Sequence, residues 1–295
     1  MGILKDIGKS VLEILLFTFF TVVIAAVLMG IITATQFIPM GGMGASGVNN
    51  PYEAVLYPFI PLCIATVAST IIVHKVIYNR SLRFSGFGVQ HAVSEFSIGA
   101  GWSIVAIGLG FCMLVLINML DIVAIDMNAY LFFGFIILFI FQSGFEEIVC
   151  RSFLLPTIAH RLNLPAGLIL SSIFFGLMHW SNDHMSVLSI INLIIAGVLL
   201  GVIYLRYRTI WGAIGLHAGW NFFQGSFFGF EVSGIDVYSL IDTKEVGPDI
   251  ITGGQFGFEG SILATFLMVI LISLIWREAP HVFRGEYLPS DVTEK

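Results

Sequence analysis

Long runs of apolar residues recur along the chain and are separated by short polar segments. A helix needs about 20 apolar residues to cross the hydrocarbon core of a bilayer, so each run predicts a membrane-spanning helix. The runs lie near residues 11–35, 54–76, 97–119, 129–149, 165–182, 185–205, 210–228 and 260–276. This pattern predicts an all-α polytopic membrane protein, a bundle of about eight transmembrane helices. A single transmembrane domain accounts for the whole chain, residues 1–295.

The basic residues alternate between the segments that separate these runs. They precede span one or follow spans two, four, six and eight: Lys5, Lys9, Lys75, Arg80, Arg83, Arg151, Arg161, Arg206, Arg208, Arg277, Arg284 and Lys295. The other segments contain only Lys244. Because Lys and Arg accumulate in cytoplasmic segments, the alternation supports eight spans with both termini in the cytoplasm. We expect a multi-pass protein of the plasma membrane.

Composition agrees with this picture and argues against nucleic-acid binding. The chain is 57% hydrophobic and 11% charged, whereas soluble domains carry about 25% charged residues. The formal net charge is −6, and no basic stripe is present, so nucleic acid is not an expected partner. The lipid bilayer itself is the first partner that the sequence implies.

Three charged residues lie together at the end of the fourth run. Glu146 and Glu147 are adjacent and therefore point about 100° apart on a helix, while Arg151 lies one turn after Glu147 on the same face. We expect an ion pair between Arg151 and Glu147 that leaves Glu146 facing the bundle. Two carboxylates about 5 Å apart repel by roughly 3 kcal/mol, so Glu146 would hold a proton more readily and suits general-base chemistry. Alternatively, the three residues are interfacial charges that close the helix at the cytoplasmic face.

Two later runs carry further polar residues. His179 lies one turn after Phe175 in the fifth run, and His217 lies one turn before Asn221 in the seventh. An imidazole and an amide on one helix face could bind an oxyanion. They could also simply hydrogen-bond between helices, and a single histidine at a helix end is often structural.

The depths of these residues raise a conflict. With span four ending at 149, Glu146 lies near the cytoplasmic end, and His217 lies about seven residues into span seven. His179 lies 14 residues after Pro165, or roughly 20 Å along a straight helix. The residues can meet only if residues 152–164 are partly submerged and span five starts deeper; otherwise they do not form one site.

Taken together, the three motifs resemble those of one enzyme family. Glu146-Glu147-x-x-x-Arg151, Phe175-x-x-x-His179 and His217-x-x-x-Asn221 stand in this order on three spans. The ordered set resembles the CAAX-protease and bacteriocin-processing (CPBP/Abi) family of intramembrane endopeptidases, which includes the type II CAAX prenyl proteases. The resembling core runs from about residue 129 to residue 228 and is the expected catalytic core.

The resemblance implies a role for each of these residues. Glu146, helped by His179, would activate water, and His217 with Asn221 would stabilise the oxyanion. Glu147 would support the site, and Arg151 would orient the glutamates, with Phe175 as a supporting residue. Members of the family are called metalloproteases, and Glu146, His179 and His217 could hold a zinc ion with water as fourth ligand. The sequence contains no HExxH motif, so a glutamate-activated water without metal is equally consistent with it.

Three functions from different classes fit these observations. The favoured hypothesis is an intramembrane endopeptidase that cleaves a membrane-associated peptide, for example a prenylated CAAX tail or a bacteriocin-like peptide, approached from the cytoplasmic half. A second is a non-catalytic membrane scaffold or bacteriocin self-immunity protein of the same fold. A third is a transporter or proton relay, which would favour internal symmetry that the sequence does not contain.

Overall fold

The computed structural model describes residues 2–34 and 51–278 of the chain. Five helices form its first half, and two of them continue directly into π-helical segments. They are α1 (Gly2–Ala34), α2 (Pro51–Thr70, continued by Ile71–Ile77), α3 (Ala92–Leu116), α4 (Ala129–Glu147, continued by Ile148–Leu154) and α5 (Leu155–Arg161).

The second half contains three long helices, a turn-rich segment and a final helix. The helices are α6 (Leu164–Met178), α7 (Val187–Tyr207), α8 (Trp211–Asn221, continued by the π-helical Phe222–Phe227), α9 (Asp249–Thr252) and α10 (Ile262–Arg277). Two 3₁₀ turns, Gly254–Phe256 and Phe258–Gly260, connect α9 to α10.

Side-chain caps fix where several of these helices begin. Asn128 accepts a hydrogen bond from the backbone N–H of Leu131 at the start of α4. Asn163, Ser186 and Ser261 cap α6, α7 and α10 in the same way. Each cap satisfies a backbone donor that the first helical turn leaves without a partner. The polar residues between the apolar runs thus set the helix boundaries.

A helix lies at each of the eight predicted spans. Five helical stretches are long and apolar enough to cross a membrane: Ile3–Ile32, Pro58–Ile77, Ala92–Leu116, Ala129–Arg161 and Val187–Tyr207. α6 and α10 are shorter apolar helices. Eight crossings and cytoplasmic termini therefore remain predictions. Arg284, Lys295 and residues 36–50 lie outside the described part of the chain.

The fourth run continues well beyond its predicted end. The chain stays helical through the π-helical segment and α5 to Arg161, so the expected boundary at 149 is wrong. Arg151 is completely buried within this helical stretch. About 15 residues separate Glu146 from Arg161, and 15 separate Leu164 from His179. Both stretches therefore extend roughly 22 Å from the same turn, and the conflict of depths disappears.

A small antiparallel sheet was not expected in an all-α protein. Leu120–Ile125 (β1) follows α3 and pairs with Ile241–Glu245 (β2), with Leu120 opposite Glu245. Helices nevertheless account for 75% of the structure. Since both strands lie in segments predicted to be on the outside, their pairing agrees with the predicted alternation. We call this end of the bundle the strand end.

The opposite end of the bundle is held together by buried charges, and we call it the basic end. Glu13, near the start of α1, is completely buried. Its carboxylate accepts hydrogen bonds from the guanidinium groups of Arg80 and Arg161. One carboxylate therefore joins α1 to the loop after α2 and to the end of α5.

Glycines allow close contact between several helices. A Cβ at Gly215 of α8 would lie 2.1 Å from the backbone oxygen of Phe96 in α3. A Cβ at Gly197 of α7 would lie 2.8 Å from Cα of Ser172 in α6. Small residues at these positions bring the backbones together. Close packing at these glycines therefore fixes how α8 lies against α3 and how α7 lies against α6.

Replacement of Glu13 tests the buried contact at the basic end. Glu13→Gln should lower the free energy of unfolding by about 3–5 kcal/mol, because Arg80 and Arg161 would stay buried without their counter-charge. Arg206→Gln is the control, since its partner Glu278 is 57% exposed, and should cost at most about 1 kcal/mol. Unfolding in detergent micelles measures both, and equal losses would contradict the proposed importance of the buried contact.

Candidate active site

A cavity of about 350 Å³ lies inside the bundle. Its walls come from α4, α6, α7 and α8, with α10 and the segment around residues 232–237. Much of the lining is aromatic, including Phe59, Phe135, Phe139, Phe145, Phe175 and Trp220. The polar lining includes Glu146, His179, His217 and Asn221. Four of the residues singled out in the sequence therefore face one cavity.

Glu147 lies behind the cavity and carries the ion pair expected with Arg151. The guanidinium Nη1 of Arg151 is 3.2 Å from Oε1 of Glu147, and both side chains are completely buried. Nη2 of Arg151 donates to the carbonyl oxygen of Gly197 at 2.8 Å. The guanidinium also lies over the ring of Phe175, 4.8 Å from its centroid. The charge of Glu147 is therefore neutralised by a cation that contacts from α6 and α7 hold in place.

His217 is oriented by the same carboxylate oxygen. Its Nδ1 lies 2.9 Å from Oε1 of Glu147. Because an ionised carboxylate can only accept, Nδ1 carries the proton, and Nε2 is directed away from Glu147. The ring of Phe175 packs edge-on against His217, with centroids 5.5 Å apart. Glu147 thus sets both the tautomer and the direction of His217.

His179 is oriented by its own helix. Its Nδ1 donates to the backbone carbonyl of Phe175 at 2.9 Å, since a carbonyl oxygen can only accept. Nε2 of His179 then faces Glu146, 3.6 Å from Oε2. Nε2 of His217 lies 3.9 Å from the same oxygen. Two imidazoles on different helices therefore converge on one carboxylate oxygen.

Glu146 is held by a residue that the sequence analysis did not single out. Nε2 of Gln142 donates to Oε1 of Glu146, and Nδ2 of Asn221 donates to Oε1 of Gln142 at 2.8 Å. Gln142 therefore joins α4 to α8 and positions two of the predicted site residues at once. The spacing was a usable signal, because Gln142 is a polar residue in an apolar run, one turn before Glu146 and on its face.

The second oxygen of Glu146 has no partner. Oε2 of Glu146 is buried and makes no hydrogen bond within the described protein. Buried polar atoms are almost always hydrogen-bonded, so an exception in a cavity indicates a place where a polar molecule binds. The alternative that Glu146, Glu147 and Arg151 are interfacial charges is wrong, since the helix continues past them and all three are buried.

The cavity extends from Glu146 to the segments of the strand end, and the expected approach from the cytoplasmic half stays a prediction. Its lining includes Asn182, Ser233, Asp236 and Glu259, which lie in the segments of the strand end. The sequence placed the site in the cytoplasmic half because it ended span four at 149. With the helix continued to Arg161, Glu146 lies near mid-bundle and the cavity lies on its strand-end side.

The three candidate zinc ligands do not form a tetrahedral site as they stand. Zinc bonds of about 2.0–2.1 Å would bring ligand atoms to about 3.4 Å from one another. The distances from Oε2 of Glu146 to the two imidazole Nε2 atoms are 3.6 and 3.9 Å. Within the described residues, no group of three or more His, Cys, Asp or Glu side chains has the geometry to hold a metal.

The arrangement suits hydrolysis. A water molecule beside Oε2 of Glu146 would have a carboxylate to take its proton and two imidazoles within hydrogen-bond reach. The amide of Asn221 adds a donor on the same helix face as His217. The apolar walls would exclude bulk water and strengthen these interactions.

One segment of the chain matches a known protein family. Residues 128–223 match the family model described as type II CAAX prenyl endopeptidase Rce1-like. The match covers 96 of the 295 residues and confirms the resemblance to the CAAX-protease family over this segment. Comparison with curated proteins gives no match. The five apolar helices and the family match indicate an integral membrane protein related to proteases.

A double-mutant cycle tests whether Arg151 is needed to keep Glu147 buried. Arg151→Met should lower the free energy of unfolding by about 3–5 kcal/mol, because a buried carboxylate loses its cation. Adding Glu147→Leu should recover a large part of this loss, giving a coupling energy of at least about 1 kcal/mol.

The control for this cycle combines Arg151→Met with Glu95→Gln, a buried carboxylate bound to Thr209. These two changes should add within about 0.5 kcal/mol. Additivity in both cycles would show that Arg151 and Glu147 do not depend on each other.

Proposed function

We propose that this protein is an intramembrane endopeptidase that hydrolyses a peptide bond with water activated by Glu146. The observation that carries the proposal is the environment of Oε2 of Glu146. This buried oxygen has no hydrogen-bond partner, faces the cavity, and lies 3.6 and 3.9 Å from two imidazole nitrogens. A scaffold has no physical need for an unpaired buried carboxylate oxygen, since it destabilises the fold.

The first chemical step is attack of water on the peptide carbonyl. Glu146 removes a proton from the water as its oxygen forms a bond to the carbonyl carbon. The negative charge that develops on the carbonyl oxygen is stabilised by Asn221 and His217. His217 would donate from Nε2 in its doubly protonated form, while its Nδ1 stays hydrogen-bonded to Glu147 at 2.9 Å.

The second step is collapse of the tetrahedral intermediate. The proton held by Glu146 passes to the amide nitrogen, the C–N bond breaks, and an amine and a carboxylic acid leave. His179 would orient the water and the glutamate through Nε2, since its Nδ1 is fixed by the carbonyl of Phe175. Gln142 would keep Oε1 of Glu146 occupied, so that Oε2 alone performs the proton transfer.

The substrate would be a membrane-associated peptide that enters the cavity among the helices. Aromatic and aliphatic walls favour an apolar or lipidated segment. Prenylated CAAX-type tails and bacteriocin-like peptides are the substrate classes suggested by the family resemblance. We place the protein in the plasma membrane on the strength of its predicted topology.

Replacement of Glu146 tests the proposed chemistry. Glu146→Gln should lower kcat by a factor of about 10²–10⁴, which is the usual contribution of a general base, and the protein should remain folded. The assay is peptide release by the purified full chain in nanodiscs, with products identified by mass spectrometry. Glu278→Gln, at the exposed end of α10, is the control and should keep full activity.

Turnover by Glu146→Gln at the control rate would remove the assignment. A biological phenotype unchanged after replacement of both Glu146 and His179 would favour the scaffold or immunity hypothesis.

Metal removal tests the choice of a metal-free mechanism. Two donor–donor distances, 3.6 and 3.9 Å, exceed the about 3.4 Å between tetrahedral zinc ligands, so dialysis against a chelator should leave the rate of peptide release unchanged. Metal analysis of the purified protein should give far less than one zinc per chain. Loss of activity on dialysis, restored by one equivalent of zinc, would show instead that the three side chains close around a metal.

A further inference from the structure

A third carboxylate lines the cavity, and it comes from outside the family-matched segment. Glu259 lies in the 3₁₀ turn Phe258–Gly260, just before α10. It is 8% exposed and lines the same cavity as Glu146, His179 and His217. No motif marks Glu259 in the sequence, because it lies in a Gly-rich segment far from the three motifs.

The backbone around Glu259 is fixed by specific contacts. Nδ2 of Asn192 in α7 donates to the carbonyl oxygens of Glu259 and Ser261, both at 2.8 Å. Gly257 has a φ of +98°, and a Cβ there would lie 1.9 Å from the backbone oxygen of Glu231. Only glycine fits this left-handed, crowded position. The turn therefore presents the Glu259 side chain in a single place.

One oxygen of Glu259 is held by a neighbouring loop. Oγ of Ser233 donates to Oε1 of Glu259 at 2.5 Å. The backbone carbonyl of Ser233 accepts from Nδ2 of Asn182 at 3.0 Å, and Asn182 follows His179 by three residues. These contacts need only an acceptor at position 259, which an amide would supply equally well. The negative charge of Glu259 is therefore not required to hold the loops together.

No Lys or Arg among the described residues that line the cavity matches this charge. Glu146, Asp236 and Glu259 all line the cavity. Burial raises the pKa of Glu259, while hydrogen bonds from Ser233 and the charges of protonated His179 and His217 act in the opposite direction. A buried carboxylate is stabilised most when a cation joins it.

We propose that Glu259 binds a protonated amine of the substrate, either a Lys or Arg side chain near the scissile bond or a free amino terminus. This inference rests on the proposed endopeptidase function and names the substrate class of the same site. The amine would pair with Glu259, and the exposed Asp236 at the cavity mouth would attract it.

The experiment measures the preference of the purified full chain for basic peptides. Three peptide libraries are compared that differ in one fixed residue: Lys, the neutral isostere norleucine, or Glu. Each library is made with a free and with an acetylated amino terminus, which separates the two sources of the amine. Initial cleavage rates at low substrate concentration give relative values of kcat/KM.

Wild-type protein should prefer the Lys library over norleucine, or the free amino terminus over the acetylated one. Glu259→Gln keeps an acceptor for Ser233. It should reduce the ratio of kcat/KM values that defines this preference by about 30-fold or more, which is the effect of losing one partner of a buried charge pair. Cleavage of the norleucine or acetylated library should change little. Glu231→Gln, a carboxylate of the same region that does not line the cavity, should keep the preference.

The outcomes separate this inference from the proposed function. Cleavage without preference for an amine in the wild-type protein overturns the role of Glu259 and leaves the endopeptidase assignment intact. A preference for the amine that is unchanged in Glu259→Gln also overturns the role of Glu259 and leaves the endopeptidase assignment intact. If the wild-type protein is folded, as judged by its unfolding temperature, and cleaves none of the libraries, the endopeptidase proposal itself is contradicted. If Glu259→Gln fails to fold, Glu259→Asn serves as the neutral variant and should lose the preference, while Glu259→Asp retains the charge and should keep it. Equal preferences in the two variants would overturn the role of Glu259.

Discussion

The neutralisation of Glu147 within the bundle is the interaction on which the rest of the site depends. A carboxylate with no exposed surface cannot stay ionised without a cation and hydrogen-bond donors. Arg151 supplies the cation from the next turn of the same helix, and His217 supplies a second donor from α8. Because Arg151 also binds the carbonyl of Gly197, this one carboxylate fixes the relative positions of α4, α7 and α8.

This neutralisation gives the two adjacent glutamates different roles. Glu147 binds Arg151 and His217 through Oε1 and does not line the cavity, whereas Glu146 keeps Oε2 free inside the cavity. Fixing both Nδ1 atoms directs the Nε2 atoms of His179 and His217 toward that oxygen. The reactive groups are therefore preorganised by partners that do not themselves face the substrate, as electrostatic catalysis requires. Gln142 extends the arrangement to Asn221.

The sequence predicted much of this and missed the parts that depend on tertiary structure. Helical spacing alone paired Arg151 with Glu147 and left Glu146 free, and hydropathy located a helix at every apolar run. Hydropathy could not reveal that the fourth helix continues past Arg151, because a charged residue normally marks a span end. The β1–β2 sheet and the approach of Glu259 to the cavity depend on contacts between residues more than 60 positions apart. No local pattern encodes such contacts. The catalytic roles themselves remain predictions.

A high-resolution density map of the full chain in lipid nanodiscs tests the central claim most directly. The quantity to measure is what lies beside Oε2 of Glu146. The account predicts an ordered water molecule within hydrogen-bond distance of this oxygen and of an imidazole Nε2, in a cavity that extends toward the strand end. Acyl chains filling the cavity, or His179 and His217 turned away from Glu146, would contradict it.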